Sequence, residues 1–153
     1  MTLEELTLEL DNCATVSDAL RIRSVVDALP SAVAFHLLFT LATRDVGKPN
    51  LFAAALLIEL EPPCPVDCEV ALRTLGSGCW QVSDHKVPFY LITQFGKLRL
   101  IEAVAIVSNE FDGERRHQVN TVAYHAQWPA AEMSISTLTE TFARIERNAT
   151  NRS

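Results

Sequence analysis

The stretch ERRHQVNTVAYHA, residues 114–126, decides the fold. Val119, Val122, Ala123 and Ala126 fall at i, i+3, i+4 and i+7, the spacing of one helix face. The residues before it argue for a different answer. Asp112-Gly113 is a strong hairpin-turn dipeptide, Leu98-Arg-Leu100 alternates, and Val104 to Val107 is β-rich. Read that way, residues 98–127 hold a hairpin around Asp112-Gly113 and the chain is α+β. The alanines tip the balance, because alanine is depleted in strands. The spacing therefore predicts a helix over Leu98 to Val107, a turn over Ser108 to Gly113, and a second helix over Glu114 to Ala126.

The same period runs outward in both directions. Thr2 and Glu5 have capping-box spacing before Leu3, Leu6 and Leu10. Ser17 reads as an N-cap for a stripe of Leu20, Val25, Ala28 and Leu29 that ends at Pro30. Val33 to Leu41 is strongly apolar, and Arg44 to Asn50 reads as a loop. Leu51 to Leu60 is apolar on nearly every face, the mark of a buried helix. Pro62, Pro63 and Pro65 stiffen the next connection. Asp67 can cap a helix from Cys68 to about Leu75, which Gly76 and Gly78 stop. Pro88 opens a further helix that closes on Gly96. Towards the end, Ile135, Leu138, Phe142 and Ile145 are spaced by three, four and three, behind a Thr137/Glu140 capping pair. The expected fold is all-α, with short helices in antiparallel pairs, arranged as a solenoid or a compact helical bundle. Residues 1–147 form the single domain and 148–153 a frayed tail. Val33, Phe35, Leu38, Leu56, Leu57, Leu91, Ile92, Val104, Val122 and Phe142 are the expected core.

Composition agrees. The chain has 153 residues, 48% hydrophobic and 21% charged, which suits one globular domain. Nineteen acidic against thirteen basic residues give a net charge of −6. No basic stripe is available to neutralise phosphates, so nucleic acid is not an expected partner. The longest apolar run, Leu51 to Ile58, is far shorter than the roughly 20 residues of a membrane span. The start, Met1-Thr-Leu-Glu-Glu-Leu6, is acidic and amphipathic, unlike a signal peptide. A cytoplasmic location is the expectation, and with it reduced thiols.

One internal match stands out. At an offset of 47 residues, Leu51 falls on Leu98, Leu57 on Val104, Leu60 on Val107, Leu72 on Val119, Thr74 on Thr121 and Leu75 on Val122. In this general pattern the chain is similar to the HEAT and armadillo repeats, helical units of about 40–47 residues. The resemblance spans residues 17–147 and implies stacked helix pairs that expose an extended protein-binding surface.

Candidate chemistry is sparse. Cys64, Cys68, Cys79 and His85 form the most pointed cluster, since three thiolates and an imidazole can hold zinc tetrahedrally. Against this, free cysteine is among the most buried residue types. Glu114 and His117 have the Glu-x-x-His spacing of di-iron bundles, but no second copy exists. Asp84-His85 could orient an imidazole. His36, inside an apolar segment, reads as a core histidine. No nucleophile elbow or phosphate loop is present. The expectation is a non-enzymatic protein-interaction module without cofactor. Its contact region is Gly76 to Lys86, with Trp80 as the partner-binding aromatic. Two alternatives are a zinc-binding protein built on the cysteine cluster and an acidic immunity-type inhibitor of a basic toxin.

Overall fold

The computed structural model describes residues 1–44, 47–80, 82, 84–127, 140–143 and 147. Among them there is no strand. The helices are α1 (Leu3–Asp11), α2 (Val16–Asp27), α3 (Ser31–Arg44), α4 (Lys48–Leu60), α5 (Cys68–Ser77), α6 (Lys86–Phe95), α7 (Lys97–Val107) and α8 (Gly113–Ala126), with a 3-10 turn at Ser108–Glu110. The hairpin reading of residues 98–127 is thereby overturned. Asp112-Gly113 still turns the chain, but it turns one helix into the next. Of the expected last helix, residues 140–143 are helical; Ile135, Thr137, Leu138, Ile145 and the tail at 148–153 lie outside the described residues.

The helix starts follow local chemistry. Thr2 and Glu5 form the expected capping box: the Thr2 hydroxyl accepts from the Glu5 amide at 3.1 Å, and Glu5 accepts from the Thr2 amide at 2.8 Å. The cap of α2 is Thr15 rather than Ser17. Its hydroxyl accepts from the Asp18 amide at 3.0 Å while Asp18 accepts in return, a pairing that Ser17 cannot make. Helix α4 begins at Lys48, inside the expected loop, because Pro49 sits in the first turn, where a missing N–H costs nothing. Gly96 ends α6 and starts α7, with φ 83°, a backbone region that glycine enters freely.

Packing runs in two series. Helices α3, α5 and α7 contact one another in order, and so do α4, α6 and α8. The two series meet most extensively between α3 and α4 and again between α7 and α8. Phe35, Leu38, Phe52, Leu56, Leu57, Leu72, Leu91, Val104, Val122 and Phe142 are buried between them. Val33, expected inside, is 40% exposed, because residues 34, 35, 38 and 39 already turn the buried face of α3 inward. Ile92 is only partly buried. His36 is exposed for the same reason as Val33. The offset of 47 residues covers three helices, not two. It lays α4 on α7, members of different series, and lays half-buried Leu51 on Leu98, which is 78% exposed.

Candidate functional site

The site begins at the C-terminal end of α3. A helix end leaves carbonyls without intrahelical donors, and here two distant residues supply them. Asn50, buried in the first turn of α4, donates its side-chain amide to Leu41 O at 3.2 Å and Ala42 O at 2.7 Å. The Cys79 amide donates to Thr43 O at 2.7 Å. That approach requires Gly78, since a Cβ there would lie 1.8 Å from the same carbonyl oxygen. The end of α3 is thus clamped against the end of α5.

Between the two helices runs an open groove of about 450 Å³. Thr40, Thr43 and Arg44 line it from α3, and Val70, Arg73 and Ser77 from α5. Val70, 42% exposed, gives the groove an apolar surface. No acidic residue is among the described lining residues. Arg73 does meet an acid from outside: its Nε donates to both carboxylate oxygens of Glu110 at 3.0 and 3.2 Å, with both side chains near half exposed. The groove's lining thus carries two guanidinium groups and several hydroxyls, and Arg44 also lines a second cleft with Glu4 and Asp11.

The expected contact region leaves this groove at Gly78 and turns under α8. Trp80, expected on the surface, is 2% exposed. Its ring packs against His125 at 6.1 Å, and its amide donates to the Gln118 side chain at 3.4 Å. The Trp80 ring is therefore core, not a surface ridge. An aromatic beside a glycine turn has a helix to pack on, and α8 provides it. His85 is drawn in too, its ring edge-on to His125 with centroids 4.4 Å apart. His125 Nε2 donates to Val82 O at 2.7 Å. Lys86, 2% exposed, donates its ammonium to Asp84 at 2.7 Å, and its amide donates to the same carboxylate at 2.9 Å. Of the Asp84-His85 pair, the carboxylate engages Lys86, and His85 Nδ1 has no hydrogen-bond partner.

The expected zinc cluster does not assemble. Helix α5 separates its halves, with Cys64 and Cys68 at one end and Cys79 and His85 beyond the other. Ten helical residues span roughly 15 Å, several times a zinc–sulfur bond. Burial pushes the Cys68 thiol up to about 11, and raises that of Cys64 as well. The Cys64 thiol donates to Val66 O at 3.4 Å. Cys79 is exposed. Among the described residues no three His, Cys, Asp or Glu side chains are grouped to hold a metal ion. Glu114 and His117 are both exposed on α8.

Asn50, Gln118 and His125 were not marked by any motif. Gln118 and His125 lie 38 and 43 residues from their partners. Their one signal is polarity on the apolar face of α8: Gln118 sits beside Val119, and His125 beside Ala126. No family model matches the chain, and no curated protein or solved structure matches it closely enough to count as a relative.

Proposed function

We propose that the protein is a non-enzymatic interaction module of HEAT-like stacked helices, and that its α3–α5 groove receives an extended acidic segment of a partner protein. The observation that carries this reading is charge: Arg44 and Arg73 line the groove together with exposed Val70, with no acid among the described lining residues. Guanidinium groups bind carboxylates through paired hydrogen bonds. Arg73 already meets a carboxylate through one N–H, its Nε shared between the two oxygens of Glu110, in a half-exposed pair that a partner's carboxylate can replace. The hydroxyl of Ser77 and the apolar surface at Val70 suit the polar backbone and apolar side chains of an extended peptide. Two arginines in an acidic chain are too few for a phosphate backbone. The immunity-type reading needs a basic partner, and the groove's charge runs against one. No helix among the described residues is long and apolar enough to cross a membrane. A cytoplasmic setting is part of the proposal.

The test is a titration of the purified protein into a short fluorescein-labelled peptide of alternating glutamate and leucine, with a lysine–leucine peptide as control. The acidic peptide binds and the basic one does not. Arg44→Ala or Arg73→Ala each weakens binding by about tenfold, as the loss of a charge-assisted hydrogen bond requires. Equal binding of both peptides, or variants that bind like the wild type, would refute the proposal.

A further inference from the structure

The connection between α5 and α6 is fastened to α8 in an unusual way. Trp80 and His125 are 2% and 4% exposed, yet both carry an orphan polar atom. Among the described residues, the buried side-chain nitrogens with no hydrogen-bond partner are Trp80 Nε1, His85 Nδ1 and His125 Nδ1. All three belong to one cluster, with the imidazole rings 4.4 Å apart. Buried polar atoms are normally paired, and a group of exceptions calls for a cause.

The imidazoles supply one. His125 Nε2 donates to Val82 O, so Nδ1 of the neutral ring is a bare lone pair. Protonating it would create a buried N–H with no acceptor and a cation against the His85 ring. Protonating His85 Nδ1 has the same consequence in reverse. The His85 charge would lie near the Lys86 ammonium, which Asp84 already engages at 2.7 Å. The groups acting electrostatically on His85 are His125, Asp84 and Lys86, and of these only Asp84 favours its charged form. Tyr124, stacked edge-on to His125 from the outer side, is neutral. Burial first, and then His125, hold the His85 imidazole below its ordinary range.

We infer that the His85–His125 contact is a pH-sensitive clasp: neutral, it holds the α5–α6 connection on α8, and acidification opens it and presents Trp80 to solvent. The sign follows from linkage. A base held neutral in the closed form binds its proton more readily in the open one. The clasp is fully closed above the ordinary imidazole pKa of 6.5 and loosens as pH falls below it. Among the described residues, the direct bonds that tie the connection to other elements include His125 to Val82 O, the Trp80 amide to Gln118, and the Cys79 amide to Thr43 O. Local opening therefore leaves the apolar contacts among the helices in place. The aromatic that the sequence offers as a partner contact is then available only in the acid form. This inference does not depend on what occupies the groove.

Trp128→Phe leaves Trp80 as the sole tryptophan for fluorescence. Emission, acrylamide quenching and far-ultraviolet circular dichroism are followed from about pH 8 to about pH 5, the range that brackets an imidazole. The expected result is a red shift with severalfold stronger quenching below about pH 6.5, while the helical signal holds. In the same background, His85→Gln with His125→Gln keeps amide donors but no titratable ring, and the shift disappears. Proton NMR of the wild-type imidazoles gives a check that needs no variant: the fluorescence midpoint coincides with the titration of His85 or His125, not of exposed His36 or His117. Emission that stays constant, a shift that tracks loss of helix, persistence of the shift in a folded double variant, or a midpoint matching neither ring of the contact overturns the clasp.

Discussion

Helices α3 and α4 and the α5–α6 connection each bury large side chains, but they are held by different means. Between α3 and α4, Phe35, Leu38, Phe52 and Leu56 interlock with almost no polar atom among them. Their stabilisation is spread over many weak contacts and does not change with pH. In the connection, Trp80, His85 and Lys86 are held by a few directional bonds, an ion pair and ring edges. Loss of any one leaves a partner stranded. The first arrangement gives a rigid scaffold. The second gives a segment whose closure depends on protonation, placed where the groove begins at Gly78.

The largest effect belongs to the scaffold. Phe52 is fully buried and stacks on Phe142, with ring centroids 6.0 Å apart. Phe52→Ala removes that contact and leaves a cavity, at a cost of about 3–5 kcal/mol. Urea unfolding checks it, and the loss is the same at pH 8 and pH 6. A loss that varied between these conditions would erase the contrast between the two regions.

The connection responds next. Asp84→Ala leaves the Lys86 ammonium, 2% exposed, without the carboxylate that holds it. Breaking one side of a buried pair costs about 3 kcal/mol, towards the lower end because Asp84 is partly exposed. Adding Lys86→Met removes the stranded charge, so the double variant is more stable than Asp84→Ala alone. If the double variant is the weaker protein, the pair stabilises the connection outright and the contrast with the apolar scaffold narrows.

The scaffold was legible in the sequence because its signal is local. The apolar run Leu51 to Leu60 and the spacing of Val119, Val122 and Ala126 each announce a helix within a few residues. The α2 cap went to Thr15 because a capping box needs an acid three residues on, and Asp18 stands in that register with Thr15 rather than with Ser17. The connection was not legible. Its order comes from Gln118 and His125, which reach Trp80 and Val82 across 38 and 43 residues. A tryptophan next to Gly78 and Cys79 reads equally as core packing or as a partner contact until α8 is known to cover it. The groove was equally hidden, since Arg44 and Arg73 sit on separate helices and belong to no motif. Of the region that sequence reasoning singled out, Gly76 to Lys86, Ser77 and Gly78 line the groove, and its aromatic Trp80 is inside.

The smallest expected effect on stability separates fold from function. Arg73 shares one N–H between the two oxygens of Glu110, and both side chains are nearly half exposed, so water and salt screen their attraction. Arg73→Ala therefore costs about 0.2–1 kcal/mol, close to the limit of a urea measurement. The same substitution takes away one of the two cations lining the groove and weakens the acidic peptide by about tenfold. Glu110→Gln acts in the other direction. It frees the guanidinium from its internal carboxylate at a similarly small cost to the fold, so the acidic peptide binds more tightly than to the wild type. The pair of variants makes the groove's charge the only quantity that changes sign. If Glu110→Gln weakens the peptide instead, Glu110 orients Arg73 for binding rather than competing for it. Arg73 would then depend on directional bonds as the buried connection does, and the line between scaffold and device would run through the groove itself.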